Sequence, residues 1–431
     1  MSLIMIETPV SIRTQKDSLD MKMDCLDRLA SQERDLGNES FPSTKTTTPP
    51  KRKEQKPTAI SLFSGGGGLD LGIEAAGFET LACIEKDENC CETLKSNQSK
   101  YLKSAKIIND DVDNVDVRKL MKELKIRKGS LDLLFGGPPC QTFSQIGKKE
   151  SVNDARGRLL FSMVNYASIL NPKAVLIENV AALQNAKDSS GEKGAILRDL
   201  INQLEGLGYV VSHQVLNAAE YGVAQLRKRL FVVAVRKKET FEFPVGSFGD
   251  DRENPFVHVG EVIQNLPGAV PKDSDPLHAN HVDVTPAGDI RRISHVTEGA
   301  HLAKMHDAPS EIRGRLSKKD TTKFLRLSRS KPSNTLRCGE IFFHPIESRY
   351  LTPREYMRIH GFPDDYVLKG PIRGRSGSVR NLDQHRQVAN SVPPQLGEQV
   401  AKSILDAIRK PCPSGRGAVT VIQLESSEFS E

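Results

Sequence analysis

The sequence predicts an α/β fold in which a doubly wound, mostly parallel sheet is accompanied by a second, smaller domain. From Thr58 onward, short apolar runs alternate with helix-like stretches. Strands that alternate with helices form a parallel sheet covered on both faces. Near Val235 the alternation stops, and residues 236–329 carry many Pro, Gly, His and Asp residues with weak periodicity. Regular pattern returns at Lys331, so the second domain, mixed or β-rich, interrupts the first.

The apolar runs give the predicted elements in chain order. The predicted strands are Ala59–Phe63, Thr80–Ile84, Leu131–Phe135, Ala174–Ile177, Val210–Leu216 and Leu230–Val235. The predicted helices are Leu69–Ala76, Leu160–Leu170 and Leu396–Ile408. One further apolar run, Ala105–Ile108, lies between the second and third strands. Because ligands bind beyond the carboxyl ends of the strands in such sheets, the predicted site is formed by the loops after Phe63, Ile84, Phe135 and Ile177.

These patterns divide the chain into five segments. Residues 1–57 are predicted to be a flexible N-terminal extension with one short helix near Asp17–Ala30, because the following stretch is polar and contains a Thr-Thr-Thr-Pro-Pro run. Residues 58–235 form the sheet domain and 236–330 the smaller domain. Residues 331–409 are a return segment that completes the sheet domain, and 410–431 are a C-terminal tail.

Composition limits the class of protein. Hydrophobic residues make up 37% of the chain, and the formal net charge is +6. No apolar run approaches the ~18 residues of a membrane span, and the start of the chain lacks the features of a signal peptide. We therefore expect a soluble, intracellular protein with no membrane partner. None of the seven cysteines forms a C-x-x-C pair, which argues against a disulfide framework and against a zinc site; we predict no metal.

Charge is distributed unevenly along the chain. Between Arg291 and Arg337 stand 12 Lys and Arg against 4 Asp and Glu. Such a bias suits contact with nucleic acid, and it equally suits an ordinary solvated face.

A glycine-rich turn follows the first predicted strand. The run from Phe63 to Leu69 contains Ser64 and four glycines, which allow a tight turn and close approach of a ligand. Glu85 ends the next strand, 22 residues beyond Phe63, a spacing that suits ribose hydroxyls. Asp111 follows the third apolar run and could accept a hydrogen bond from an adenine amino group. NAD, FAD, S-adenosylmethionine and a purely structural turn all remain open at this point.

A cysteine with a rigid setting follows the third predicted strand. In Gly136-Gly-Pro-Pro-Cys140-Gln, the two prolines fix the backbone at the ligand edge of the sheet. Inert core packing is the common role of a lone cysteine. The flanking glycines and prolines indicate a loop instead, so Cys140 is a candidate nucleophile, reactive as the thiolate.

Two further polar motifs follow predicted strands. Glu178-Asn-Val comes directly after Ala174–Ile177, where the glutamate is either a site residue or a helix cap. In Gln225-Leu-Arg-Lys-Arg, an extended backbone would place Gln225, Arg227 and Arg229 on one side. The two arginines could bind a phosphate and a carbonyl oxygen, or could form a solvated edge.

Taken together, the motifs resemble those of the DNA (cytosine-5) methyltransferase family, in particular its compact restriction-modification members. The match runs from Thr58 to about Ile408, apart from the segment 236–329. The motifs that carry it, in the family's order and spacing, are Thr58–Gly72, Gly136–Ser144, Glu178–Val180, Gln225–Arg229, Arg349–Pro363 and Arg386–Pro394. The resemblance implies an S-adenosylmethionine-dependent methyltransferase fold with residues 58–235 as the catalytic and cofactor-binding domain and 236–330 as the target-recognition domain.

The resemblance also implies a mechanism. Cys140 would add to carbon 6 of a flipped-out cytosine, Glu178 would hold or protonate ring nitrogen 3, and Arg229 would bind the carbonyl oxygen at carbon 2. Arg227 would support Glu178 or a phosphate. S-adenosyl-L-methionine would supply the methyl group, and the base must leave the duplex because its ring cannot be reached inside the stack.

The remaining implied residues fall into two groups. The cofactor-binding residues are Phe63, Ser64, Gly65, Gly67, Leu69, Glu85, Asp111 and Asn390. The DNA-binding residues are Ser144 and Arg156, from the loop Gln141–Arg158 that is similar to the family's mobile loop, and Lys318 and Lys319 from the basic segment.

Several alternatives are weighed against this interpretation. An RNA cytosine-5 methyltransferase of the same fold lacks support because its usual Cys-Phe-Thr triplet is absent. An amino-group methyltransferase would use Pro-Pro-Tyr and need no thiol. A catalytically inactive DNA-binding module conflicts with the intact Cys140, and a nicotinamide-linked oxidoreductase has no other supporting motif. Expected partners are double-stranded DNA and a cognate restriction endonuclease; we expect a monomer in the cytoplasm at the nucleoid, or in the nucleus of a eukaryote.

Overall fold

The computed structural model describes residues 56–139, 155–187, 191–236, 240–271, 274, 278–305, 308–313, 324–372 and 381–409, with the backbone alone at 155–158. All of them fall within one compact unit, Gln55–Glu431. The N-terminal extension and the C-terminal tail of the prediction lie outside the described residues, apart from 56 and 57.

Helices and strands alternate along most of the described chain. The strands are β1 (Thr58–Leu62), β2 (Glu79–Glu85), β3 (Lys106–Asn109), β4 (Leu133–Gly136), β5 (Ala174–Val180), β6 (Tyr209–Asn217), β7 (Gln225–Leu226), β8 (Lys228–Arg236), β9 (Val270–Pro271), β10 (Val282–Asp283) and β11 (Ser333–Asn334). The helices are α1 (Gly68–Ala75), α2 (Glu88–Ser96), α3 (Val117–Glu123), α4 (Ala155–Leu170), α5 (Ala195–Gly206), α6 (Val259–Ile263), α7 (Ala287–Ser294), α8 (Ser310–Arg313), α9 (Pro353–His360), α10 (Gln384–Asn390) and α11 (Pro394–Arg409). Single 3₁₀ turns cover Ala181–Asn185, Ala218–Tyr221 and Leu302–Lys304.

The central sheet has seven strands in the order β3-β2-β1-β4-β5-β8-β6. The first five are parallel, whereas β8 runs antiparallel between β5 and β6. The predicted α/β class with a mostly parallel sheet is confirmed. The prediction that Glu178–Val180 follows a strand is wrong, because β8 pairs with β5 as far as Val180 opposite Arg229 and so extends the strand.

Alternation along the strands sends side chains to two separate cores. On β1, Ile60 and Leu62 face a core that also contains Met163 and Tyr166 of α4. Ala59 and the β4 residues Leu133 and Phe135 face the opposite core. Because successive side chains of a strand point to opposite faces, a central strand covered on both sides reads as a continuous apolar run.

The C-terminal helix packs directly against the helix that follows the glycine-rich turn. Leu396, Val400 and Ile404 of α11 share a core with Ile73 of α1. At the crossing, a Cβ atom on Gly72 would lie only 2.5 Å from the carbonyl oxygen of Pro394. A side chain at that position would separate the helices. The last helix of the return segment thus packs in the same core as α1.

The segment 236–330 is irregular in its described part, with three short helices and two strands of two residues each. Many of its apolar side chains, among them Val259, Ile293 and Leu327, share one core with Met357 and Phe362 from the return segment. Of the two predicted compositions for this segment, mixed or β-rich, its described part therefore agrees better with the mixed one. The predicted boundary at 330 remains a prediction, since this core extends across it.

Among the residues that the structure describes, no helix has both the length and the apolar character needed to cross a membrane.

Candidate active site

A cavity of about 670 Å³ opens at the carboxyl ends of β1, β2, β4 and β5. The sequence predicts the ligand site at this same edge of the sheet. Of the predicted site residues, it is lined by Phe63, Ser64, Gly65, Leu69, Glu85, Asp111, Glu178, Arg229 and Asn390. Gly67 and Arg227 are not part of the lining and lie behind it. One cavity therefore joins the predicted cofactor residues to two of the predicted catalytic residues.

The glycine-rich turn forms the wall of this cavity nearest to α1. Phe63 has a φ of 57°, which is rare for a residue with a side chain, and its N–H donates to the Ile84 carbonyl at 2.9 Å. Gly67 has a φ of 84°, and a Cβ atom there would lie 2.5 Å from the Tyr366 hydroxyl oxygen. Only glycine fits this position, because both the conformation and the space exclude a side chain. Its role in the described structure is to shape the turn.

Glu85 ends β2 and is held by the backbone on two sides. One carboxylate oxygen accepts from the Gly65 N–H and the other from the Asp87 N–H, both at 2.8 Å. Burial raises the pKa of Glu85 above its ordinary value, although these two hydrogen bonds oppose the shift. The carboxylate is thus fixed against the glycine-rich turn, where it can still accept hydrogen bonds from the hydroxyl groups of a ligand.

Two residues at the mouth of the cavity carry opposite charges. The Lys86 ammonium lies 3.5 Å from a carboxylate oxygen of Asp111, and both side chains are partly exposed. An exposed pair of this kind contributes little free energy. Asp111 therefore keeps the capacity to accept a hydrogen bond from a ligand.

The return segment supplies the opposite wall. The Asn390 side chain accepts a hydrogen bond from the Cys338 thiol, with 2.7 Å between sulfur and oxygen. Asn390 is the last residue of α10, and the adjacent Ser391 and Val392 also line the cavity. Long-range packing thus brings a residue more than 300 positions away beside the glycine-rich turn.

The most strongly defined pair in the site joins Glu178 of β5 to Arg229 of β8. The Arg229 Nε atom lies 2.9 Å from a Glu178 carboxylate oxygen, with side-chain exposures of 14% and 9%. Burial raises the pKa of Glu178, while the positive charges of Arg229 and Arg227 act in the opposite direction. The net direction is upward, which favours the protonated acid more than in water.

The proline-rich turn before Cys140 lies against this pair. Asn179 donates from its side-chain amide to the Pro138 carbonyl at 3.2 Å. A Cβ atom at Gly137 would come within 3.0 Å of a Glu178 carboxylate oxygen. The turn is therefore tied to β5 and runs close to the Glu178 carboxylate. Cys140 itself lies just outside the described residues, which end here at Pro139.

Arg227 is fully buried, and its surroundings explain why it is absent from the cavity lining. One guanidinium nitrogen donates to the carbonyl oxygens of Ala389 and Ser391, at 2.7 Å and 2.8 Å. Its Nε and Nη1 atoms have no partner among the described residues. Burial, with the like charge of Arg229, lowers the pKa of Arg227 to about 9.

A buried histidine continues the same network. His360 Nδ1 lies 2.9 Å from the Gln225 amide nitrogen, and its Nε2 lies 2.9 Å from the Ser391 carbonyl oxygen. Burial, followed by the positive charge of Arg227, holds the pKa of His360 well below its ordinary value. The neutral ring therefore accepts from Gln225 and donates to Ser391. This links the Gln225–Arg229 motif to the return segment.

Four predicted DNA-binding residues fall beyond the described side chains. Ser144, Lys318 and Lys319 lie outside the described residues, as does the Arg156 side chain, although the backbone of Arg156 belongs to α4. Their roles stay predictions.

The comparison with known families decides the assignment. A family model described as C-5 cytosine-specific DNA methylase matches residues 58–406, most of the chain. The chain belongs to the C-5 cytosine-specific DNA methylase family. The resemblance inferred from the motifs is thereby confirmed.

Curated members of the methylase family are similar over most of their length. The type II methyltransferase M.PspPI of Psychrobacter sp. (strain TA137) is 34% identical over 363 residues, which cover 80% of this chain and 78% of the relative. M1.HphI of Haemophilus parahaemolyticus is 31% identical, with 81% and 86% covered. M.Eco47II of Escherichia coli is 33% identical, with 82% and 80% covered.

Solved structures share the methylase fold. A protein encoded within an Escherichia coli prophage and described as a DNA modification methyltransferase aligns with a TM-score of 0.63 at 22% identity, covering 82% of this chain and all of that one. The Entamoeba histolytica methyltransferase EhMeth aligns with a TM-score of 0.53 at 17% identity, covering 83% of this chain and all of that one. At these identities the likeness supports the fold alone.

Several residues of the methylase site escaped the sequence analysis. Asp70, Asp87 and Gln387 line the cavity, and Cys338 and His360 stand behind it. Asp70 comes two residues after the glycine run and could have been singled out as a charged residue between the apolar Leu69 and Leu71. Gln387 and Cys338 carry no local signal, because only the packing of distant segments brings them to the site.

Proposed function

We propose that this methylase transfers a methyl group to carbon 5 of a cytosine within a specific double-stranded DNA sequence. The observation that carries the proposal is the buried pair of Glu178 and Arg229 beside the turn that precedes Cys140. An acid and a guanidinium 2.9 Å apart offer a hydrogen-bond donor and a cation to one edge of a pyrimidine. The thiol would approach the ring from the neighbouring turn.

The cavity fits S-adenosyl-L-methionine as the methyl donor. Its wall is the glycine-rich turn, where Gly65 and Gly66 line the cavity without side chains, so a ligand can approach the backbone closely. Glu85 would bind the ribose hydroxyls, Asp111 the adenine amino group, and Phe63 would lie against the adenine ring. Ser64, Gly65, Leu69 and Asn390 also line the cavity. When bound, this cofactor supplies an electrophilic methyl group.

The residues of the chain would activate the base. Carbon 5 of cytosine is a poor nucleophile, and addition of the Cys140 thiolate to carbon 6 makes it enamine-like. Once carbon 5 carries its new methyl group, loss of the proton on carbon 5 and expulsion of the thiolate restore the ring and the enzyme. Every bond that Cys140 forms is thus broken again within one cycle.

Glu178 would control charge on the ring during the addition. Burial raises the pKa of Glu178, so the protonated form, which could donate to ring nitrogen 3, is more accessible than it would be in water. Arg229 would bind the carbonyl oxygen at carbon 2. Arg227, which donates to two carbonyl oxygens of the return segment, would hold its neighbour Arg229 and Glu178 in place from behind.

Access to the site requires the cytosine to leave the helix. Flipping costs a few kcal/mol, and contacts from the loop Gln141–Arg158, including Ser144 and Arg156, would offset that cost by closing over the base. Lys318 and Lys319 would bind phosphates. Residues 236–330 would read the target sequence.

By analogy with the type II relatives, we propose that the enzyme is the modification partner of a restriction endonuclease acting on the same sequence. It would act as a monomer wherever the DNA lies, in the cytoplasm at the nucleoid or in a eukaryotic nucleus.

The test is methyl transfer by a Cys140→Ser variant. A hydroxyl is far less acidic than a thiol and adds poorly to carbon 6, so we expect turnover to be lost while cofactor and DNA binding remain. Product 5-methylcytosine is measured by mass spectrometry after digestion of the DNA, and bisulfite sequencing identifies the target. Cys25→Ser, in the N-terminal extension, is the matched control and should retain full activity.

Three outcomes would contradict the proposal. Methylation by Cys140→Ser at the wild-type rate would remove the thiol from the mechanism. Preferential modification of RNA by the wild-type enzyme would make the substrate class wrong. Binding of DNA by the wild type without any methyl transfer would identify an inactive binding module.

A further inference from the structure

A small buried polar cluster lies beneath the glycine-rich turn. Ser64 donates from its hydroxyl to the Ser61 hydroxyl oxygen at 2.7 Å, and Ser61 is in turn hydrogen-bonded to Asp70. On the neighbouring strand, the Cys83 thiol donates to Asp70 Oδ1 at 3.4 Å. Ser61, Ser64 and Asp70 all line the cavity. The cluster therefore belongs to the cofactor end of the site.

Asp70 is the member of this cluster that lacks both a cation and a full set of hydrogen-bond partners among the described residues. Its side chain is fully buried, and its Oδ2 atom has no hydrogen-bond partner among the described residues. The groups that face it are Ser61 on β1, Cys83 on β2, Glu74 on α1 itself and Tyr366 after α9, and none of these is a cation. Burial accordingly raises the pKa of Asp70 to about 6.

The other carboxylates that line the cavity are already engaged. Glu85 accepts from two backbone N–H groups, and Asp87 accepts from those of Cys90 and Leu382. Asp111 lies near Lys86, and Glu178 is paired with Arg229. Asp110 accepts from the Asp111 N–H and the Asn114 amide. In the part of the chain that the structure describes, Asp70 Oδ2 is thus the buried acidic oxygen of this cavity that remains without a partner.

We propose that Asp70 is a further cofactor-binding residue, whose ionised carboxylate balances the positive charge of S-adenosyl-L-methionine. This inference rests on the proposed function. The ligand carries two cationic groups, a sulfonium and an α-ammonium, and the residues assigned to its adenine and ribose meet neither. An unpaired buried carboxylate is costly, and a cationic ligand removes that cost by supplying the missing partner.

The role proposed for Asp70 predicts the direction in which cofactor affinity changes with pH. A ligand that favours the ionised form of Asp70 releases a proton when it binds, since part of the free enzyme is protonated there. Affinity should therefore be full above the pKa of about 6 and decline as the pH falls through it. With binding restricted to the ionised form, the decline between about pH 7 and about pH 5 is about tenfold.

Calorimetric titration of the full chain tests this with S-adenosylmethionine and S-adenosylhomocysteine from about pH 5 to about pH 8. Asp70→Asn keeps the shape of the side chain and removes the charge. We expect it to bind S-adenosylmethionine at least about tenfold more weakly at neutral pH, and to lose the part of the pH dependence that is centred near the pKa of Asp70. Any pH dependence that remains in the variant reports Glu85.

The two ligands identify the cationic group, because S-adenosylhomocysteine keeps the ammonium and lacks the sulfonium. Equal weakening of both ligands by Asp70→Asn assigns the carboxylate to the ammonium. Weakening of S-adenosylmethionine alone assigns it to the sulfonium. Either result supports the proposal.

Two further measurements test the inference even if Asp70→Asn fails to fold. Ser61→Ala removes a hydrogen bond that lowers the pKa of Asp70, so the midpoint of the pH dependence should move upward while the charge remains. Wild-type enzyme titrated at about pH 6 in two buffers of different ionisation enthalpy should release protons on binding. Unchanged affinity in Asp70→Asn, or binding by the wild type without proton release, overturns the inference. Absence of any binding by the wild type would instead overturn the proposed function.

Discussion

At the scale of single residues, two buried carboxyl groups in one cavity have different partners. Glu178 has Arg229 at 2.9 Å, whereas Asp70 faces no cation among the described residues. Burial raises the pKa of both, but only Glu178 has a positive charge beside it that favours the ionised form. The two acids differ in what they lack: Glu178 already has a cation beside it and is proposed to act on the base, whereas Asp70 has none and is proposed to receive the positive charge of the cofactor.

Asp70 should reduce the stability of the free enzyme. A carboxyl group whose pKa rises from 3.8 to about 6 on folding favours the folded state only when protonated, so stability falls as the pH rises between these values and is constant above them. Asp70→Asn should stabilise the cofactor-free protein above about pH 6 by up to about 3 kcal/mol, and have little effect near pH 4. Urea unfolding at several pH values measures this.

The control for that experiment is Asp199→Asn on α5, where the aspartate is exposed. It should change stability by no more than about 0.5 kcal/mol at any pH. If Asp70→Asn destabilised the free enzyme at neutral pH, Asp70 would be a structural residue and not one that awaits a cation.

Glu85 gives the second prediction at this scale. Its carboxylate is aligned by the Gly65 and Asp87 N–H groups, so Glu85→Ala should weaken S-adenosylmethionine binding by about 1–3 kcal/mol. Calorimetry measures the loss, and Glu92→Ala, exposed on α2, is the control. Affinity equal to that of the wild type would mean that a different acid holds the ribose.

At the scale of elements, the contact between α1 and α11 depends on the absence of a side chain. A Cβ atom at Gly72 would lie 2.5 Å from the Pro394 carbonyl oxygen and 2.7 Å from the Glu398 backbone nitrogen. Both neighbours are backbone atoms, which cannot rotate away. The glycine-rich turn leads into α1, so a displacement of α1 would also reach the cavity.

Gly72→Ala should therefore destabilise the protein by about 1–3 kcal/mol, as overpacked sites generally do. Thermal unfolding measures the change, and cofactor affinity should fall with it. Gly206→Ala is a matched control at the end of α5, where an added Cβ meets nothing within 4 Å; it should be neutral or stabilising by up to about 1 kcal/mol. Equal effects of the two substitutions would show that the close approach of the two helices has no energetic weight.

At the scale of the whole molecule, the segment 236–330 shares its core with the return segment. Ile293 and Leu327 pack in one cluster with Met357 and Phe362. Arg326, in the same segment, is buried and donates to the carbonyl oxygens of residues 293, 296, 344, 345 and 346. Part of this segment is thus structural, and the proposed reading of DNA falls to its remaining surface.

Exchange of this segment tests where specificity lies. We expect a chimera that carries residues 236–330 of a relative with a different target to methylate the relative's sequence with intact chemistry, because base edges are read by a few side chains. The apolar residues of the shared core and Arg326 are kept in the exchange. Bisulfite sequencing identifies the product, and an active chimera that still methylates the original site would contradict the prediction.

Ion pairs with one acid inside the segment Arg291–Arg337 and one just before it partly neutralise the charge of this segment. Arg292 pairs with Asp289, and Arg329 with Glu298. The basic bias of the sequence therefore overstates the charge that can meet DNA. The predicted phosphate contacts at Lys318 and Lys319 stand as a separate expectation.

Neutralising Lys318 and Lys319 to glutamine should weaken binding to all DNA sequences alike. The log–log dependence of affinity on salt should flatten by about 0.9 for each phosphate group that the variant no longer binds. A salt titration measures this, with Arg329→Gln, which breaks an internal pair, as the control. A merely solvated face predicts no effect, and a changed site preference at constant salt dependence would assign the lysines to base reading.

By itself the sequence determined the α/β class and the family. It also placed Glu85, Asp111 and Glu178 at one edge of the sheet. These features follow from local patterns: apolar runs, glycine and proline turns, and polar residues near strand ends, all of which depend on neighbouring residues alone. An extended backbone likewise predicts that Gln225, Arg227 and Arg229 lie on one side. In the structure these three side chains are buried or half-buried, whereas the residues between them are exposed.

Only the tertiary structure decided the rest. It extended β5 to Val180 through antiparallel pairing with β8, buried Arg227 against carbonyl oxygens of the return segment, and left Asp70 uncompensated beneath the glycine-rich turn. Each of these outcomes depends on which distant segments pack together. Burial and the supply of partners, which set the charge state of a side chain, are properties of that packing, and no local sequence pattern encodes them.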